Sequence, residues 1–164
     1  PLPTRNTYYT SFRFLDTVAW SPVNPNQLLF SNADIAVVAD LKKQQLVLAI
    51  GVPNSKAAPV ISGLSWSPNG RYIASSYTVL GDKKTYHLPD PHIYIWDTLA
   101  LSKKVSSTSN NLDIQPPTMT FDQQGALRHN DTIVDVQWSP DGRYLATCSL
   151  DHKVLIWQVD AASH

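Results

Sequence analysis

The chain has 164 residues, 43% hydrophobic and only 16% charged, and its 13 basic and 13 acidic side chains cancel. That balance removes the electrostatic footprint of a nucleic-acid or anionic-membrane binder. No apolar run approaches the ~20 residues that span a bilayer. The single cysteine, Cys148, excludes an internal disulfide and fits a reducing compartment, with the cytoplasm as the default expectation; no signal-peptide pattern opens the sequence at Pro1.

In chain order, Thr7 to Leu15 (TYYTSFRFL) is rich in aromatic and β-branched residues and reads as a strand leading into Asp16 and Val18-Ala19-Trp20. Gln27 to Phe30, Ile35 to Val38 and Gln45 to Ile50 follow as short strands, closed by the breakers Gly51, Pro53 and Asn54. The pattern then restarts. Val60 to Trp66, Tyr72 to Tyr77 and His92 to Trp96 form a second set, and Val134 to Trp138, Tyr144 to Ser149 and Val154 to Val159 a third. No segment carries helical periodicity beyond a turn or two, so the class is all-β.

The restarts are copies. WSPNGRYIASS (Trp66 to Ser76) and WSPDGRYLATC (Trp138 to Cys148) agree at seven of eleven positions, and Val18 to Leu41 is a weaker copy that keeps Trp20, Ser21 and Pro22. The shared Ser-Pro-Asn/Asp-Gly is a hairpin turn: proline presets a negative φ, and Gly70 or Gly142 accepts the positive φ that closes it. In the strand that follows, Tyr144, Ala146 and Cys148 face one side while Leu145, Thr147 and Ser149 face the other. Both faces therefore carry apolar material. Stacked four-stranded blades around an axis would cover both, as a lone sheet cannot.

His129, the WSPDGRYLA segment, the Ser149-Leu150-Asp151 turn and Trp157 together resemble a WD40 repeat of the β-propeller family, strongly in the third repeat, well in the second and faintly in the first. The resemblance implies blades of four antiparallel strands. It also implies a buried hydrogen-bonded network of a histidine, a serine or threonine, an aspartate and a tryptophan, which by motif match are His129, Ser149 (with Thr147 as substitute), Asp151 and Trp157. An indole donor, a relaying imidazole and an accepting carboxylate can satisfy one another when buried. The second repeat keeps Trp96-Asp97 without a matching histidine, and the first has Ala39-Asp40 in place of Trp-Asp. Those two blades are expected to depend more on apolar packing.

Catalytic readings fare poorly against this register. His129 beside Asp131 and Asp135 could form a base with an orienting carboxylate, but its place in the repeat gives it a structural role. Cys148 lies mid-strand without a second cysteine and reads as a packed thiol. His87, Asp90 and His92 have two prolines among them and no cysteine pair, unlike an ordinary zinc site. The six glycines form no nucleophile elbow or phosphate loop. No catalytic residue, cofactor or metal is expected.

Trp66 to Trp96 is eleven residues longer than Trp138 to Trp157, and the surplus falls in Val79 to Pro91. Lys83, Lys84, Tyr86 and His87 in this insertion are candidate partner-binding residues, of types that suit interaction surfaces. The connection Leu99 to Arg128 must hold the fourth strand of the second blade, either Lys104 to Thr108 or Thr118 to Asp122. The expected organisation over 1–164 is thus a lone strand at 7–15 completing a neighbouring blade, then blades at 16–52, 58–128 with insertions, and 129–160. Closed propellers need at least about four blades, so this chain is expected to be incomplete alone: the C-terminal part of a larger propeller, or one chain of an assembly, a two-fold pair being one version. The functional expectation is a non-catalytic scaffold for a protein or peptide partner and for another copy or chain that supplies the remaining blades, with no nucleic acid and no membrane. The alternative is part of a propeller enzyme with its active site at the axial end.

Overall fold

The computed structural model describes residues 17–32, 34–52, 59–79, 90–105, 113–121 and 128–159. The sequence-predicted strand at 7–15 lies outside them. The two Ser-Pro-Asn/Asp-Gly copies build the same turn from the same bonds. The Gly142 amide donates to the Ser139 carbonyl and the Ser139 amide to the Tyr144 carbonyl, each at 2.9 Å, while Ser139 Oγ donates to Asp141 Oδ1 at 2.6 Å. Ser67 to Tyr72 repeats this with Asn69 for Asp141. Gly70 and Gly142 take φ of 69° and 72°, the left-handed region that glycine enters without steric cost.

Each of these turns joins the first two strands of its own sheet, and the described residues form three sheets. The first carries β1 (Val18–Trp20), β2 (Gln27–Asn32), β3 (Ile35–Asp40) and β4 (Gln45–Gly51) in sequential antiparallel order. The second carries β5 (Pro59–Trp66), β6 (Tyr72–Val79) and β7 (Asp90–Asp97), followed by an eight-residue helix, α1 (Thr98–Val105), the two-residue β8 (Ile114–Gln115) and β9 (Met119–Phe121). Of the two sequence candidates for the fourth strand, the later one pairs: β9 lies antiparallel to β7, whereas Lys104 belongs to α1. The third sheet has β10 (Ile133–Trp138), β11 (Tyr144–Ser149) and β12 (Val154–Gln158), with three strands among the described residues.

Two features of the 98–121 connection depart from the expected blades of four antiparallel strands joined by loops. Asp97 Oδ1 accepts the amides of Leu99 and Ala100 at 3.0 and 3.2 Å, capping α1 where the sequence shows no helical pattern. Further on, β8 joins the first sheet as a fifth strand, parallel to β4. Gly51 makes room for it: a Cβ there would meet Ile114 Cγ2 at 3.0 Å.

Neighbouring sheets stack through their apolar faces. Leu29, Val38 and Ile50 pack with Ile61, Ile73 and Trp96 between sheets one and two, and Ala74, Ile93 and Ile95 pack with Val136 and Leu145 between sheets two and three. Tyr77 Oη also donates across the first interface to the Asp34 carbonyl at 3.1 Å. In β11 the buried positions are Leu145, Thr147 and Ser149, and Tyr144, Ala146 and Cys148 are half-buried on the opposite face. The second sheet is covered on both sides. Among the described residues nothing covers the outer faces of the other two: Val18 and Trp20 are 66% and 61% exposed, and Val154 and Ile156 are 65% and 62% exposed.

Sheets two and three approach so closely that a glycine is required between them. A Cβ on Gly63 would stand 2.8 Å from the Val136 amide nitrogen and 3.0 Å from Asp135 Cα, backbone atoms that cannot yield without moving a blade. Gly63→Ala is therefore expected to destabilise the fold by about 2–3 kcal/mol. Gly142→Ala, where only the positive φ resists and the added carbon makes an ordinary contact, should cost about 1 kcal/mol. Urea denaturation of the two variants checks the ranking; equal losses would contradict it.

Candidate functional site

The polar residues singled out by the repeat register meet inside the third blade. His129 is 2% exposed and is anchored at both ring nitrogens. Nδ1 lies 3.2 Å from both Asp151 oxygens, and Nε2 lies 2.8 Å from Thr147 Oγ1. Trp157 Nε1 donates to the same hydroxyl at 2.9 Å. Donor and acceptor roles close with a neutral ring: Trp157 donates to Thr147, Thr147 donates to Nε2, and Nδ1–H donates to Asp151.

The hydroxyl in this chain is that of Thr147, and Ser149, the residue matched first in the sequence, works elsewhere. Ser149 Oγ donates to the Asp131 carbonyl at 2.9 Å and accepts the Asp151 amide at 3.1 Å. Both side chains lie on the same face of β11, but Thr147 is opposite the inner part of β12 whereas Ser149 borders the turn. Burial alone would raise the Asp151 carboxyl pKa. The Asn130 and Lys153 amides and the His129 ring outweigh it and hold the carboxyl down to about 2.

The second blade solves the same problem without a histidine. Trp96 is fully buried and its Nε1 donates to the Gln115 carbonyl at 3.1 Å, so the long connection supplies the acceptor. Asp97 serves a separate unit. Its Oδ2 accepts Arg71 Nη2 at 2.7 Å and Nε at 3.0 Å, while its Oδ1 caps α1. Burial opposes ionisation of Asp97, and the Arg71 guanidinium with the Leu99 and Ala100 amides overcomes it, leaving its carboxyl below the usual range. Neither pattern motif nor spacing announced this unit; the only signal was that Arg71 and Asp97 border strands of one repeat.

Between blades two and three, beside the Ser-Pro turns, lies a groove of about 550 Å³. Tyr72 and Trp138 stack across it with centroids 6.2 Å apart, and Arg143, Tyr144 and Gln158 complete its rim. The sister groove between blades one and two, at Trp66, is smaller, about 280 Å³, and is bordered by Thr98 and Leu99. The indole N–H groups of Trp66 and Trp138 are buried and meet no acceptor among the described residues.

Lys83, Lys84, Tyr86 and His87 lie outside the described residues. The strands flanking them run to the Val79–Asp90 pair. His92 sits in β7 opposite Tyr77, and no group of three potential metal ligands occurs among the described residues.

A family model described as "WD domain, G-beta repeat" matches residues 53–97 and 121–158, just over half of the chain. The chain belongs to the WD40 family. It is 29% identical over 101 residues to Protein HIRA of Dictyostelium discoideum and 31% identical over 105 residues to the Protein HIRA homolog of Drosophila melanogaster, covering 61% and 63% of this chain. The chain spans under a tenth of the length of these curated relatives, 7% and 9%. Its fold is similar to the C-terminal WD40 domain of Sif2 (TM-score 0.60, 16% identity, 88% of this chain and 34% of that one) and to a chain of the mitotic checkpoint complex (TM-score 0.56, 20% identity, 87% and 36%). The WD40 repeats and these relatives support a protein-interaction scaffold.

Two consequences of the third-blade network can be measured. Thr147→Val removes the hydroxyl that both His129 and Trp157 use and is expected to cost about 2–3 kcal/mol, against about 1 kcal/mol for Ser149→Ala, in chemical denaturation. The stability due to ionised Asp151 is complete above its ordinary pKa of about 4 and is lost as pH falls through its folded value of about 2. Asp151→Asn should accordingly flatten the dependence of stability on pH across that window, read by thermal melts at successive pH values.

Proposed function

We propose that this chain is a non-catalytic scaffold segment that contributes blades to a larger WD40 propeller and presents a protein- or peptide-binding surface. The observation that carries the reading is the interior position of His129, Asp151, Thr147 and Trp157. The groups with the most catalytic chemistry are engaged with one another inside a blade, where they hold β11 and β12 to the preceding turn. A substrate would have to break these bonds to reach the His129 ring, which is 2% exposed.

The propeller is completed from outside this set of blades, as the C-terminal part of a longer ring or by a second chain. What supports this is the pair of uncovered apolar faces at Trp20 and Ile156, together with a third sheet that has three strands among the described residues. In size-exclusion chromatography with light scattering, the isolated chain is expected to self-associate or to melt without cooperativity. A well-folded monomer would refute the incomplete ring.

The partner is recognised in part by the Val79 to Pro91 insertion, whose Lys83, Lys84, Tyr86 and His87 combine positive charge with amphipathic rings. Replacing Lys83, Lys84 and Tyr86 together by alanine should reduce the yield of a partner captured by pull-down, leaving thermal stability unchanged. Undiminished capture removes this loop from the binding surface.

A further inference from the structure

The internal repeat places the grooves at Trp66 and Trp138 in the same relation to their blades, yet their surroundings differ in one respect. Beside Trp66, the chain leaves β7 through Asp97 and turns into α1, whose Leu101 is 5% exposed and belongs to the core between blades one and two. Arg71 anchors this exit by gripping the Asp97 carboxylate that caps the helix. A capping aspartate, its arginine and a leucine four residues on thus form one unit: charge fixes the helix start, and helical geometry sets Leu99 on the groove and Leu101 in the adjoining core.

In the third repeat the receiving half of this unit is present and the delivered half is substituted. Arg143 stands in the place of Arg71 and Trp138 in the place of Trp66, but Gln158 replaces Asp97, Asp160 replaces Leu99 and Ala162 replaces Leu101. Arg143 instead pairs with Asp141 at 3.0 Å, and both side chains are more than half exposed, 71% and 51%, so water and salt weaken that pair. The groove beside it is about 550 Å³, against about 280 Å³ at Trp66.

We infer that the groove between blades two and three docks a helical turn of a partner polypeptide of the form Asp-x-Leu-x-Leu, its capping aspartate paired with Arg143 and its second leucine set against Tyr72 and Trp138. The chemistry is that of Asp97 to Leu101, supplied in trans. The aspartate gains a guanidinium whose partners are the exposed Asp141 carboxylate and the face of Tyr144, and the leucine leaves water for an aromatic wall. The inference rests on the scaffold reading and deepens it by naming a partner chemistry.

The test titrates a synthetic peptide of residues 97–105, DTLALSKKV, into the chain in its folded, self-associated state, isolated by size exclusion and checked by the dispersion of its indole N–H resonances, while that of Trp138 is followed by NMR, with Trp138→Phe used to assign it. A saturable shift of that resonance is expected. A peptide carrying Leu101→Ala should bind about tenfold more weakly. Arg143→Ala in the chain should weaken the unaltered peptide but make no further difference to one carrying Asp97→Asn. An unmoved Trp138 resonance, equal binding of the Leu101→Ala peptide, or a shift confined to Trp66, where the peptide would merely exchange with α1, each overturns the docking site. None of these failures touches partner capture through Lys83, Lys84 and Tyr86, so the scaffold reading can survive the loss of this groove.

Discussion

Every sheet in this chain is apolar on both faces, and a sheet of that kind is stable only when something lies against each side. Blade two meets the demand within the chain: Ile61, Ile73 and Trp96 look toward blade one, and Ala74, Ile93 and Ile95 toward blade three. Gly63 shows how tight the second contact is, since its missing side chain is what lets β5 and β10 approach. Blades one and three are each satisfied once. Their outer faces, with Val18 and Trp20 at one end and Val154 and Ile156 at the other, present the same unmet demand in opposite directions. Stacking around an axis answers both, because the last blade then covers the first.

Polar atoms inside such a stack are costly to bury unless they find partners locally. The two tryptophans of the third strands illustrate two solutions. Trp157 uses a side-chain relay through Thr147 and His129 to Asp151. Trp96, whose repeat lacks the histidine, borrows the Gln115 carbonyl from the connection between blades. That borrowing has architectural consequences. Holding Gln115 against Trp96 places β8 beside β4, so one segment braces the outer edge of blade one and, through β9, completes blade two. Loss of a side-chain network in one repeat is thus offset by backbone from the linker that follows.

The grooves beside the Ser-Pro turns arise from the same repetition. Similar turns place recesses at corresponding positions, and the residue that ends the third strand differs between them. Asp97 turns the chain into a helix that seats a leucine; Gln158 has no carboxylate with which to cap one.

Much of this was legible in the order of residues, for a physical reason. Turn chemistry and strand alternation act over two to six neighbours, so Ser-Pro-Asp-Gly announced Gly142 at positive φ, and the reading of Leu145, Thr147 and Ser149 as one face holds in the burial of β11. The repeat itself disclosed the blades and their family. Relations between distant segments were settled only by the tertiary structure. Thr147 and Ser149 are equivalent in sequence, two residues apart on one face, and the position of the His129 ring decides which hydroxyl it meets. Likewise Lys104 and Met119 both stood as candidates for the fourth strand until the Asp97 cap committed the first to a helix and the edge of β7 took the second. Hydrogen bonds across 19 to 43 residues, such as Trp96 to Gln115 and Tyr77 to Asp34, have no local signature. Their geometry exists only once the blades have stacked.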